Sequence, residues 1–125
     1  VILSLPIIDK KKNSMEFKKW IPNDELILGP FGTMEPKKTQ ISIFPQILVV
    51  PLLSFDREFY RLGYGGGYYD KSINYLKKYF KKEKKFFITI GLAYSIQEEK
   101  KIPTGKYDMK LDYIITEKDV LSNIN

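Results

Sequence analysis

The feature that most limits how this chain folds is the succession of patterns between residues 47 and 92. Ile47-Leu48-Val49-Val50-Pro51-Leu52-Leu53 is a continuous apolar run, partly β-branched. Such a run reads as a strand buried on both faces, with Pro51, which has no N–H for a ladder, setting an early exit or irregular end. A glycine-rich loop follows, Gly63-Tyr64-Gly65-Gly66-Gly67. Ile73, Leu76 and Phe80, supported by Tyr69 and Tyr79, then recur at the spacing of one helix face, and a second apolar run from Phe86 to Leu92 reads as another buried strand ending at Gly91. Strand, loop, helix and strand in this order predict a right-handed βαβ unit. Tyr113-Ile114-Ile115-Thr116 adds a last short strand, with Thr116 placed to cap a terminal turn over residues 117–121.

Ahead of this unit, Val1-Ile2-Leu3-Ser4-Leu5-Pro6 reads as a short strand stopped by proline, followed by a polar turn over residues 9–14 and an alternation at Met15, Phe17 and Trp20. Phe17 and Trp20 are expected in the core rather than on a stacking surface. Residues 21–40 contain Pro22, Gly29, Pro30, Gly32 and Pro36, too many breakers for a regular element, and are expected to form a loop region of the kind that often lines a site. No repeat or linker interrupts the 125 residues, so the expectation is one α/β domain. The longest apolar run is far too short to cross a bilayer, and residues 1–8 have neither a basic stretch before them nor a small-residue cleavage site after them. A cytoplasmic protein without signal peptide or membrane anchor is therefore expected.

The chain has no cysteine and no histidine. Thiol nucleophiles, disulfides, imidazole bases and the usual zinc or copper ligand sets are excluded. Any metal must sit among oxygen ligands, which points to Mg²⁺ or a similar hard cation, and proton transfer is left to Asp, Glu, Lys or Tyr. Phosphoryl chemistry suits such a set, because it relies on positioning and charge. The net charge of +6 owes much to the lysines of residues 77–85, which read either as a solvated helix end and loop or as a patch for nucleic acid with Tyr79, Phe80 and Phe86 as stacking groups. No nucleic-acid-binding motif accompanies the charge, so no such partner is expected.

Between a buried strand and a helix, the glycines let backbone N–H groups approach an anion, and the helix N-terminus adds a favourable field. The spacing is not the dinucleotide fingerprint, whose third glycine would fall at Tyr68. It is not a Walker loop either: the glycine required before Lys71-Ser72 is Asp70. A carboxylate there repels phosphate unless a cation intervenes, which makes Asp70 a candidate Mg²⁺ ligand. A tight turn whose glycines serve only steric needs is the rival reading.

Pro51-Leu52-Leu53-Ser54-Phe55-Asp56, followed after a short spacer by Arg61-Leu62-Gly63-Tyr64-Gly65-Gly66-Gly67-Tyr68-Tyr69-Asp70-Lys71, resembles the signature of the 5-formyltetrahydrofolate cyclo-ligase family. Flanking pieces fit in the same order: Glu35-Pro36, Ile90-Gly91-Leu92-Ala93-Tyr94 with Gln97 beyond, and Pro103 through Asp108 to Ile114-Ile115-Thr116-Glu117. The resemblance implies an α/β fold, a mostly parallel sheet with flanking helices in a single three-layer domain over residues 1–125, lacking the family's N-terminal region and so amounting to about the C-terminal two-thirds of the family fold. It implies an ATP- and Mg²⁺-dependent ligase converting 5-formyltetrahydrofolate to 5,10-methenyltetrahydrofolate, in which the formyl oxygen is phosphorylated before the ring closes, with release of ADP and phosphate. A monomer acting on a small-molecule substrate is expected.

By the same resemblance, Arg61 and Tyr68 are the catalytic candidates. ATP would be held by Arg61, Gly63, Tyr64, Gly65, Gly66, Gly67, Tyr68, Tyr69 and Asp70; Mg²⁺ by Asp70 and Asp108; and the folate by Phe31, Glu35 and Tyr68. Each has a blander alternative. Arg61 pairs with Asp56 on the surface; Asp70 is a first-turn carboxylate favoured by the helix dipole; Asp108, like Asp112, is a loop carboxylate; Phe31 is core; Glu35 anchors a loop. Phe59 stands where the family has glycine, which predicts altered turn geometry before Arg61, since a large side chain tolerates positive φ poorly. Lys71 stands for an arginine, Gln46 for an aspartate and Tyr107 for a histidine. The family's N-terminal Lys/Arg cluster for ATP and its folate-binding glutamate have no counterpart here, so the expectation is little turnover from this chain alone, and a nucleotide- or folate-binding remnant is the alternative function.

Overall fold

The computed structural model of the chain describes residues 1–124. Its contacts divide it into two compact units, residues 1–45 and 46–125. No glycine- or serine-rich linker marks the division in the sequence.

In the first unit, β1 (Ser4–Asp9) and β2 (Ser14–Lys19) form an antiparallel hairpin in which Asp9 pairs with Ser14. The Asp9 carboxylate closes the turn by accepting the N–H groups of Lys11 and Lys12 at 3.0 and 3.2 Å, and Asn13 takes φ 51°. The strand does not stop at Pro6, as the sequence suggests, but runs through it. The reason is parity: the Ile8 N–H points away from β2, toward Glu35, and Pro6 lies two residues away on the same side, where no ladder bond is lost. Ile7 and Phe17 are buried, and the half-buried Trp20 donates from Nε1 to the Asp24 carbonyl at 3.4 Å.

Residues 21–40, expected to lack regular structure, contain a second short hairpin, β3 (Leu26–Leu28) with β4 (Met34–Pro36). Its breakers sit in the turn and at the end: Gly29 N–H donates to Thr33 at 2.8 Å, Gly32 takes φ 78°, and Pro36 closes β4.

The second unit is α/β. β5 (Ile47–Val50) leads to a small hairpin of β6 (Ser54–Phe55) and β7 (Arg61–Leu62), then to α1 (Tyr68–Lys82) and β8 (Ile88–Leu92). A 3₁₀ turn (Ser95–Gln97), β9 (Tyr113–Ile115) and β10 (Val120–Ser122) complete it. The sheet order is β10-β9-β8-β5; β5 and β9 run parallel to β8, and β10 is antiparallel to β9. The βαβ unit is thus as the sequence predicts. The terminal turn has the expected cap but not the expected length: Thr116 Oγ1 accepts the N–H groups of Lys118 and Asp119, and the chain then enters β10 instead of continuing the turn to Leu121.

The expectation that the 47–53 run is buried on both faces also fails. Leu48 and Val50 are buried, whereas Ile47 is 54% and Val49 52% exposed. By register, Ile47 and Val49 share a face with Ile88, Ile90 and Leu92, and Leu92 is exposed as well. The opposite face carries Leu48, Val50, Thr89, Gly91 and Ile114, and the crossover helix buries Ile73, Leu76 and Phe80. Among the described residues α1 is the single α-helix, and one helix covers one face. Its lysine-rich end is exposed. Lys81 and Lys82 complement the dipole in the last turn, Lys84 takes φ 57°, and Lys85 N–H reaches the Phe80 carbonyl at 2.9 Å, a left-handed helix stop.

Candidate functional site

The glycine loop occupies the gap between β7 and α1. Gly67, the residue before the helix, has φ 71°, a conformation that a side chain disfavours. No side chain caps the N-terminus of α1. The positive end of the helix dipole therefore meets the loop without a side-chain cap.

Arg61, at the start of β7, folds back over this loop, and its side chain is only 6% exposed. Nη1 donates to the Pro51 carbonyl at 3.3 Å, Nη2 lies 3.7 Å from Asp70 Oδ1, and the guanidinium sits 5.7 Å from the centre of the Tyr69 ring. Nε is buried without a hydrogen-bond partner. Gly63 makes this placement possible, since a Cβ there would collide with Arg61 Nη1. Arg61 does not pair with Asp56. That carboxylate is buried and is spent on backbone N–H groups, so the surface-pair alternative is overturned.

Asp70, in the first turn of α1, uses Oδ1 twice: for Arg61 and for the Met109 N–H at 3.3 Å. The segment bearing Asp108 is thereby brought against the glycine loop. Asp108 itself accepts the Gly105 N–H at 2.7 Å within its own turn. Among the described residues no group of three or more acidic side chains is gathered as a cation cage. An ion held by one or two of these carboxylates would need oxygens from a bound phosphate to complete its shell, which is the usual arrangement for Mg²⁺.

The loop tyrosines differ in setting. Tyr64 is exposed; Tyr68 lies so close to Gly66 that a Cβ there would come within 2.7 Å of its ring. Burial raises the Tyr69 phenol above its ordinary pKa, and the nearby Arg61 charge opposes this only in part. Phe31 and Glu35 belong to the first unit. Phe31 is exposed, with Lys10 Nζ 4.8 Å from its ring centre, so it is not core. Glu35 is 5% exposed and accepts the Ile8 N–H at 3.0 Å, tying β4 to β1.

Two organising residues stand outside the expected set. Asp56 holds the β6–β7 turn; its sequence signals are its place at the end of the Pro51–Asp56 stretch and an aspartate opening a turn after an apolar run. Gln97 donates to the Leu52 and Leu53 carbonyls at 3.3 and 3.1 Å and accepts the Tyr94 N–H, fastening the segment after β8 to the one after β5.

The model of the 5-formyltetrahydrofolate cyclo-ligase family matches residues 1–117. The chain belongs to this family. It is 33% identical over 112 residues to the 5-formyltetrahydrofolate cyclo-ligase of Haemophilus influenzae and 34% identical over 101 residues to that of Mycoplasma pneumoniae. Those alignments cover 86% and 81% of this chain, and 57% and 54% of the two relatives. The solved structure of 5,10-methenyltetrahydrofolate synthetase from Aquifex aeolicus superposes with a TM-score of 0.75 at 30% identity, over 99% of this chain and 59% of that one. The chain thus spans rather more than half the length of these cyclo-ligases.

One departure from the family pattern turns out differently from the sequence expectation. Phe59, where the resemblance implies a glycine, has φ 71°. The turn takes the left-handed conformation that glycine adopts freely and that strains a side chain.

Proposed function

We propose that this chain carries the phosphate-binding part of a cyclo-ligase site that converts 5-formyltetrahydrofolate to 5,10-methenyltetrahydrofolate with ATP and Mg²⁺, releasing ADP and phosphate. The observation that carries this reading is Arg61: a buried guanidinium with an unpartnered Nε, paired to Asp70 across a glycine loop at a helix N-terminus. A buried cation in a loop of open backbone donors suits a polyphosphate, and space in front of the loop supports it, since a Cβ on Gly65 or Gly67 would meet nothing within 4 Å.

In this reading Arg61 and the backbone of residues 63–67 bind and orient the phosphates, with Tyr64 and Tyr69 beside them. Asp70 and Asp108 would hold Mg²⁺, which would neutralise phosphate charge there, while Tyr68 would meet the formylated end of the folate. Phe31 and Glu35 are its candidate folate contacts, supported by the exposed ring of Phe31; Glu35 is tied to Ile8 within the first unit. Bound ATP supplies the phosphoryl group that turns the formyl oxygen into a leaving group. The protein contributes position and charge neutralisation, which suits a chain without histidine or cysteine. The reading includes a cytoplasmic monomer without a nucleic-acid partner. No helix among the described residues is long and apolar enough to cross a membrane.

The test is methenyl-folate absorbance on mixing the purified chain with 5-formyltetrahydrofolate, ATP and Mg²⁺. Slow ATP-dependent formation, abolished in Arg61→Ala, is expected. Formation that is independent of ATP or unchanged in Arg61→Ala contradicts the assignment.

A further inference from the structure

Asp56 is 1% exposed, and among the described residues its carboxylate pairs with no cation; backbone N–H groups satisfy it instead. Oδ1 accepts the N–H groups of Glu58 and Tyr60 at 2.9 and 3.1 Å. Oδ2 accepts the N–H of Ile102, 46 residues away, at 2.9 Å. The first pair of bonds shapes the turn that delivers Arg61 to the glycine loop, and the third pins a distant segment to that turn. The same turn holds the segment a second time, for the Phe59 carbonyl accepts the Leu111 N–H at 2.9 Å. Ile102 and Leu111 are both buried. Residues 102–111 are therefore fastened at both ends to the β6–β7 turn. Between those ends lie Asp108 and Met109, whose N–H meets Asp70.

We infer that Asp56 is a positioning residue of the phosphate site: its carboxylate locks Arg61 and the Met109 strip into one frame around Asp70. This rests on the functional reading above. Asp56 touches neither Arg61 nor Asp70, so it acts only through backbone. A carboxylate is suited to the task because its two oxygens accept from two separate segments at once, where an amide would turn a donor toward one of them.

Hydrogen exchange followed residue by residue tests this, comparing the wild-type chain with Asp56→Asn and with Arg57→Ala, a neighbour whose side chain pairs instead with Glu98. In Asp56→Asn the Ile102 and Met109 amides are expected to exchange at least about tenfold faster, while Ile88 and Ala93, bonded within the sheet to Gln46 and Ile115, keep their rates. Arg57→Ala leaves all four unchanged. Met109 exchanging at the wild-type rate overturns the proposal, and so does uniform acceleration that includes the sheet, which would make Asp56 a general support. Should Asp56→Asn fail to fold, exchange of the wild-type chain in graded denaturant decides: Ile102 and Met109 open together, before the sheet, if the frame exists, and independently if it does not. Weakened Mg²⁺-ATP binding in Asp56→Asn is the functional counterpart. A wild-type chain that binds no nucleotide would refute the functional reading, and the exchange result would still decide the role of Asp56.

Discussion

Arg61 and Asp70 meet across the glycine loop, Nη2 to Oδ1 at 3.7 Å, joining the start of β7 to the first turn of α1. The pair closes the loop at its base and leaves the guanidinium Nε without a partner. Replacing Arg61 by Lys keeps one charge but removes the fork that spans Asp70 and the Pro51 carbonyl. The expected outcome is nucleotide affinity weakened by about tenfold, or about 1.4 kcal/mol, with little change in melting, read by calorimetric titration.

Gly63→Ala tests the same geometry from the other side. Gly63 lies outside the positive-φ region, so the backbone admits alanine, but the new Cβ would strike Arg61 Nη1 and push the guanidinium off the loop. Affinity is expected to fall as far as in Arg61→Ala. The two substitutions together should be no worse than one, because residues sharing an interaction do not add.

Phe59 at φ 71° carries strain that glycine would relieve. The left-handed conformation costs a side chain about 1–2 kcal/mol, part of which is offset by the greater chain entropy that glycine loses on folding. Phe59→Gly is expected to stabilise the protein by about 0.5–1 kcal/mol in urea unfolding. Destabilisation would show that packing of the ring outweighs the strain.

The order of elements in the second unit was legible because its signals are local: the 47–53 run, the glycines, and Ile73, Leu76 and Phe80 at helical spacing. Features that depend on pairing were not. Whether Pro6 ends a strand depends on which way its neighbours' N–H groups face. Whether Val49 is covered depends on a layer that apolarity alone does not reveal. At the site, the signature contained Asp56 as well as Arg61 and Asp70, but the role of Asp56 arises from its bond to Ile102, 46 residues distant, a pairing with no local mark.

The two faces of β5 separate in stability. Leu76, 1% exposed beneath the sheet's covered face, is expected to lose about 2–5 kcal/mol on Leu76→Ala. Val49→Thr on the open face should stay within about 0.5 kcal/mol. Denaturant unfolding of both variants checks the assignment, and a large loss in Val49→Thr would mean that the face is covered in solution.

Tyr69 gives the chain a signature at high pH. Burial raises its pKa, so the fold favours the neutral phenol. Its contribution to stability is complete below the ordinary tyrosine value of about 10 and is lost as pH rises through the higher folded value. Tyr69→Phe should therefore flatten the fall in stability above about pH 10, and should remove a component of tyrosinate absorbance that titrates above that value.

The central claim is that Arg61 and the glycine loop bind a Mg²⁺-nucleotide, and calorimetric titration of Mg²⁺-ATP into the wild-type chain and Arg61→Ala tests it most directly. The account predicts saturable binding that requires Mg²⁺ and weakens by at least about tenfold without the guanidinium. Equal affinity in the two proteins, or no binding to the folded wild type, would contradict it.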